Sequence, residues 1–366
     1  MIESFHVSGF KLFRDITLPK LGRLNLLVGE NNTGKSCLLE AVSLYAGRTP
    51  SADLVRIATQ RSGERLTTWE VDSISEEGTA LVHPIFDLFH RTDGESSKRI
   101  IFEKNEDPSP LRLEGQLVRL VRGDDGLNRY EELRPGDLTP DGAEMALAIY
   151  RGVKRVALVT RRSLEAPGRI LNGDKLRNED AWTTAFLPAR GFSDETAASM
   201  WDALVQGPGQ DMVLSWLRML DPRIEGVAYI GGRRQSRIAL LRIHGQGRIP
   251  LRSMGDGLTR MFHIALAVGS ASRGVLLIDE FENGLHWRVQ EILWKSLAQA
   301  ARDFNVQVFS TTHSRDCVEG FTAAATETDP LDAVIYRLER TGDDIFAIEL
   351  PLLNVGAAIR EHAEVR

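Results

Sequence analysis

Eight consecutive residues, Gly29-Glu30-Asn31-Asn32-Thr33-Gly34-Lys35-Ser36, meet every fixed position of the pattern G-x-x-x-x-G-K-[ST]. That spacing suits phosphate chemistry. Glycine lets the backbone curl around an anion without a Cβ in the way. Backbone N–H groups of the turn and of the helix that follows converge on one spot, where the helix dipole adds partial positive charge. Gly29, Asn31, Asn32, Thr33, Gly34 and Cys37 are therefore candidates to line a cradle for ATP. Lys35 would contact the β- and γ-phosphates, and the Ser36 hydroxyl would sit on Mg2+. The plain alternative is a chance glycine turn before a helix.

A second stretch supplies what hydrolysis needs. Gly274-Val275-Leu276-Leu277-Ile278-Asp279-Glu280 is an apolar run ending in two carboxylates. Asp279 would hold the Mg2+ shell, and Glu280 would orient and deprotonate an attacking water. Alone, the run could equally be a strand feeding a helix N-terminus, where acids favour the dipole. A third stretch, Asn305 to Ser314, ends in hydroxyls and a histidine. At the carboxyl end of a neighbouring parallel strand, His313 would face the same crevice as Lys35 and Glu280 and contact the γ-phosphate. A fourth, Ser253-Met254-Gly255-Asp256-Gly257, opens an apolar helix. In isolation it is an N-cap; ahead of the Asp279 strand it is a second candidate anion site.

The elements that must position these groups follow from periodicity. Leu24–Val28 suits a buried strand, and Ser36 onward has helical apolar spacing to about Tyr45, stopped by Gly47-Arg48-Thr49-Pro50. Residues 2 to 20 read as two short strands around Gly9, with Met1–Phe5 already extended. A short helix is expected near 83–89, strands at 97–103, 111–121 and 153–160, and a turn at Asp124-Asp125-Gly126. Two helices fill 194–220, broken at Gly207-Pro208-Gly209. A strand pair follows at 227–230 and 236–244, then helices after Thr259 and Leu285, and a hairpin at 333–340 and 345–350 with a helical tail. This is an α/β chain with a mixed central sheet flanked by helices. Its ATPase core would be 1–50 and 190–366, with 51–189 an inserted strand-and-helix (α+β) subdomain.

Net charge is −6, from 45 Lys and Arg against 51 Asp and Glu, so no global basic field for nucleic acid exists. Two local stretches could still meet DNA: Arg151, Lys154, Arg155, Arg161 and Arg162, and later Arg233, Arg234 and Arg237. The bland reading of both is a solvated face. The only cysteines are Cys37 and Cys317, which argues against a disulfide framework and fits a reducing cytosol. Uncharged stretches are too short to span a bilayer, so no membrane partner and a cytoplasmic location are expected.

Taken together, these parts resemble the ABC-type ATPases, in particular the SMC and RecF-like branch and standalone ATPases close to the OLD (overcoming lysogenization defect) family. Phe10-Lys11-Leu12-Phe13-Arg14-Asp15, the Asn25–Ser36 segment, Ser253–Gly257, Asp279-Glu280-Phe281-Glu282-Asn283-Gly284-Leu285-His286 and Thr311-Thr312-His313-Ser314 carry the likeness, over residues 1–46 and roughly 190–350. The resemblance implies a P-loop NTPase fold of ABC-ATPase type. It implies that Ser253, Gly255 and Gly257 complete the ATP site of a second subunit, in a homodimer or higher homo-oligomer closed around ATP and Mg2+. Asn283 would lie in the loop crossing that interface, and His313 would be the switch histidine. Arg252, Met254 and Asp256 depart from the transporter signature Leu-Ser-Gly-Gly-Gln, which disfavours a transporter subunit. Gln60 is the nearest candidate for the family's Q-loop glutamine. The residues after Ser314 are too few for a Toprim nuclease. The resemblance thus implies an ATPase working with a separately encoded effector, in antiviral defence or DNA-damage responses; a nucleotide-dependent scaffold without turnover, which assembles a partner complex, and a DNA-binding repair ATPase are the other readings.

Overall fold

The computed structural model describes residues 1–47, 53–54, 57, 70–75, 78–82, 84–92, 95–96, 99–122, 128–133, 143–160, 182–207, 209–231, 237–328 and 332–360. Gln60, the Asp124–Gly126 turn, Arg161, Arg162, Arg233 and Arg234 lie outside them.

The chain opens with a hairpin, β1 (Phe5–Phe10) and β2 (Phe13–Leu18), followed by β3 (Leu24–Val28) and α1 (Lys35–Ala46). Next come β4 (Glu70–Ser75), β5 (Gly78–Val82), a 3-10 turn at Pro84–Leu88, and the short β6 (Arg91–Thr92) and β7 (Glu95–Ser96). Then follow β8 (Arg99–Glu103), β9 (Leu111–Arg122), β10 (Asn128–Glu132), β11 (Ala143–Arg151), β12 (Lys154–Val159) and β13 (Thr183–Leu187). Helices α2 (Asp194–Leu204) and α3 (Gly209–Leu220) lead into the meander β14 (Ile224–Gly231), β15 (Arg237–Ile243) and β16 (Gly247–Pro250). The last part holds α4 (Asp256–Ser270), β17 (Gly274–Ile278), α5 (Trp287–Asp303), β18 (Gln307–Thr311), α6 (Arg315–Thr328), β19 (Ala333–Thr341), β20 (Asp344–Leu350) and α7 (Leu352–Arg360).

The central sheet runs β13-β17-β18-β3-β19-β20. Its first five strands are parallel and β20 closes the edge antiparallel. β3, β17 and β18 are buried at every position, as parallel strands covered on both faces must be. Side-chain alternation splits them between two cores. Leu24, Leu26, Val28, Leu276, Ile278 and Val308 join the helical side with α4 and α5. Leu27, Val275, Leu277 and Phe309 face α1 and the hairpin strands. Two buried amides tie off the sheet's other end. Asn25 donates to the Gly22 and Val308 carbonyls, and Gln307 binds both the N–H and the C=O of Ile2.

Two boundaries differ from the sequence reading. Met1–Ser4 is not a strand; β1 starts at Phe5, because Gln307 rather than a neighbouring strand takes the Ile2 backbone groups. The 51–189 segment is not set apart from the core. β8 pairs with β1, so its strands extend the hairpin into a nine-stranded sheet, and β13 pairs with β17 inside the central sheet.

Candidate functional site

Because β17, β18 and β3 are adjacent and parallel, their carboxyl ends open onto one crevice. There Lys11, Leu12, Asn31, Asn32, Gly34, Lys35, Ser36, Cys37, Asp87, Phe89, Arg91, Asp279, Glu280, Thr311 and His313 line a cavity of about 570 Å3. The phosphate-loop residues, both strand-end carboxylates and the histidine are thus brought together from three separate parts of the chain.

The loop after β3 is shaped by left-handed residues, Asn32 at φ 65° and Gly34 at φ 88°. Gly34 is also the N-cap of α1 and supplies no side-chain cap, so the helix opens toward the cavity with its amide end. A Cβ on Gly34 would come within 2.9 Å of the Phe13 ring, which packs under the loop. Thr33 is buried and donates to the Glu30 carbonyl, holding the loop closed from inside. The Lys35 ammonium donates to the Gly29 and Glu30 carbonyls, each at 2.7 Å. Burial pulls the Lys35 pKa down, opposed by the carboxylates of Asp279, Glu280 and Glu282.

Sheet register explains the rest. Thr311 stands opposite Leu27 and, across β17, level with the residue after Ile278. Its hydroxyl donates to Asp279 Oδ1 at 2.7 Å and accepts from the Glu280 N–H at 2.8 Å. The Ser36 hydroxyl reaches both Asp279 oxygens, at 2.9 and 3.1 Å. Glu280 itself sits at φ 50°, a region unusual for a residue with a side chain. His313 is half exposed; its N–H donates to Glu282 Oε1 at 3.0 Å and its Nδ1 lies 3.7 Å from the same oxygen.

A hydroxyl and a single carboxylate beside a phosphate cradle suit Mg2+, which commonly binds through one or two carboxylates, water and substrate phosphates. The described residues contain no cluster of three or more His, Cys, Asp or Glu that could cage a metal without a substrate. Ser36 and Asp279 are the residues that would hold the ion.

Ser253, Gly255 and Gly257 do not line this cavity. Ser253 is exposed in a 3-10 turn (Leu251–Met254), and the N-cap of α4 is Gly255, without a side-chain cap. The expected serine N-cap is therefore absent, since the turn places Ser253 two residues too early. The α4 opening packs instead on the loop after Glu280, with Gly257 lining a separate pocket beside Gly284 and His286. Asn283, on that loop, donates to the Ala189 carbonyl.

Sequence reasoning missed three contributors. Thr311 was visible only as one hydroxyl among several, and its role depends on register. Strand β13 brings Pro188 and Ala189 to the sheet's carboxyl end. Arg260, buried within α4, donates to the carbonyls of Pro188, Ala189, Asp279 and Glu280. Its signal was a lone arginine in the apolar run Leu258–Val268.

Residues 217–318 match the AAA ATPase domain model. The chain superposes on an SMC head bound to the C-winged helix domain of ScpA, with a TM-score of 0.51, 14% identity, and 96% of this chain and 98% of that chain covered. The chain is an ATPase with the fold of an SMC head. It is 21% identical over 358 residues, 90% of each chain, to a Helicobacter pylori protein described as an ATP/GTP phosphatase. A 94-residue stretch is 32% identical to an uncharacterized protein of Methanocaldococcus jannaschii and covers 82% of it, so the ATPase shares a family with that protein. None of the described helices of the ATPase is long and apolar enough to cross a membrane.

Proposed function

We propose that the protein is an ATP-driven switch: two copies close around ATP and Mg2+, hydrolysis reopens them, and a separate effector reads the state. The observation that carries this reading is the shared cavity of Lys35, Ser36, Asp279, Glu280 and His313, with Ser253–Gly257 held outside it. A phosphate cradle with the Ser253–Gly257 segment outside its cavity is compatible with a head-to-tail pair of sites. The ATP/GTP phosphatase relative supports nucleotide turnover, and the SMC head solved with a ScpA domain supports a partner-reading role. Antiviral defence or DNA-damage response is the setting we assign to the effector. Residues 1–50 and 190–366, completed by β13, would form the ATPase core and the rest of 51–189 the elaboration on it.

In the chemistry proposed, Lys35 exchanges the Gly29 and Glu30 carbonyls for β- and γ-phosphate oxygens. Bound Mg2+ would supply charge neutralisation between the phosphates. Thr311 and Ser36 fix the Asp279 carboxylate in one orientation. Glu280 takes a proton from water as its oxygen attacks the γ-phosphorus; the bond to the ADP oxygen breaks and phosphate leaves. His313 steadies the γ-phosphate.

DNA contact finds less support. Arg151 is turned inward, donating to the Tyr45 carbonyl and stacking on its ring, and Arg237 is paired with Asp202.

Phosphate release and sizing chromatography test the reading together. Glu280→Gln should lose about 100-fold or more in kcat while running as a dimer with ATP, and Lys35→Ala should lose both turnover and dimer. Wild-type turnover in Glu280→Gln would overturn the assigned base. A Glu280→Gln chain that stays monomeric with ATP would overturn the switch.

A further inference from the structure

We propose that Arg260 is a positioning residue for hydrolysis, holding the main chain of Asp279 and Glu280 so that the Glu280 carboxylate meets the attacking water. This rests on the reading of Glu280 as the base. Arg260 is buried, 5% exposed, on a helix whose other buried positions are apolar apart from His263. One terminal nitrogen donates to the Asp279 and Glu280 carbonyls at 2.6 and 2.7 Å. The other donates to Pro188 and Ala189, at 2.8 and 3.3 Å. Arg260 makes no ion pair with a described carboxylate, and its buried Nε has no hydrogen-bond partner.

A buried cation held by four carbonyls, with the charges of Asp279, Glu282 and Glu280 near it but none ion-paired to it, is an expensive way to fill a core position. What it achieves is specific to place. The two carbonyls gripped by one nitrogen flank the Cα of Glu280, the residue held at φ 50°. On the N-terminal side of that same Cα, the Glu280 N–H is fixed by Thr311. Its peptide groups are therefore pinned on both sides, which sets the direction in which the carboxylate leaves the backbone. Lysine cannot reproduce the pin, because the ammonium lacks the planar fork that spans two pairs of acceptors. Arg260 also stands one helical turn after Asp256, at the opening of α4. A push on the exposed Ser253–Gly257 segment would therefore reach Glu280 through one rigid helical turn.

The test is steady-state and single-turnover ATP hydrolysis by Arg260→Lys, with nucleotide affinity and thermal melting measured on the same samples. The expected result is a 10- to 100-fold loss in kcat, on the scale of misplacing a reacting group, with KM and ATP affinity within about threefold. In a Glu280→Gln background the same change should cause no further loss, since it acts through that carboxylate. Unchanged kcat in a folded Arg260→Lys chain, or a full further loss in the Glu280→Gln background, overturns the proposal. If the lysine variant does not melt cooperatively, Arg260→Gln replaces it, and failure of both to fold makes Arg260 a structural residue and equally overturns it. If Glu280→Gln alone keeps wild-type turnover, it is the base assignment that has failed.

Discussion

His263 lies one turn along from Arg260 on α4 and is also buried, beside the Phe192 ring. Its Nδ1 accepts the Phe192 N–H, so the ring is neutral with its proton on Nε2. Burial, helped by the positive charges of Arg260 and Arg252, pulls its pKa from 6.5 to about 4. The folded value lies below the unfolded one, so the unfolded chain binds the extra proton first. This contribution is fully present above pH 6.5 and is lost as pH falls from 6.5 toward 4, amounting to about 3 kcal/mol at most. His263→Asn keeps an acceptor near the Nδ1 position and removes the titration. Its melting temperature should fall less steeply than wild type between pH 7 and pH 5. Parallel slopes for the two chains would remove His263 as the source.

At the scale of elements, what could be read early was local: a glycine loop between an apolar strand and an amphipathic helix, and an apolar strand ending in Asp279-Glu280. Those patterns are carried by adjacent residues. The strands β11 and β13 were not read, because neither alternates cleanly and both are defined by partners far along the chain. β13 matters most, since it lays its Leu187 carbonyl against the Asp279 N–H and delivers the carbonyls that Arg260 grips. Its closeness to β17 depends on Gly274. A Cβ there would lie 1.9 Å from the Thr183 carbonyl oxygen, a backbone atom that cannot step aside without opening the sheet. Gly274→Ala should therefore destabilise the fold by about 2 kcal/mol or more, read as a lower midpoint in urea. A midpoint within error of wild type would mean that β13 is not held at that spacing. Across the other face, Trp294 stacks on Phe281 at 3.9 Å and meets Phe321 edge-on at 4.9 Å, which seats α5 and α6 against the loop following Glu280.

For the whole molecule, the proposed pairing sets a condition that one chain would not meet alone. The cavity gathers the phosphate loop and the strand-end carboxylates, yet Ser253 is exposed on a turn that does not line it. If the proposed head-to-tail pair forms, each ATP site takes its cradle from one protomer and Ser253–Gly257 from the other. Damage to either half then disables both sites of a uniform dimer, whichever half is damaged. Lys35→Ala breaks the cradle, and Ser253→Arg blocks the signature surface at an exposed position where the fold has little to lose. Mixed in equal amounts, the two inactive chains can form mixed dimers, each with one site built entirely from undamaged parts. The mixture should regain ATP hydrolysis up to about half of wild type, since each mixed dimer keeps one of its two sites. Activity in Ser253→Arg on its own would place the segment outside the reaction. A mixture as inactive as its two components, with mixed dimers confirmed by differently tagged chains, would mean that the two halves of a site do not come from different protomers.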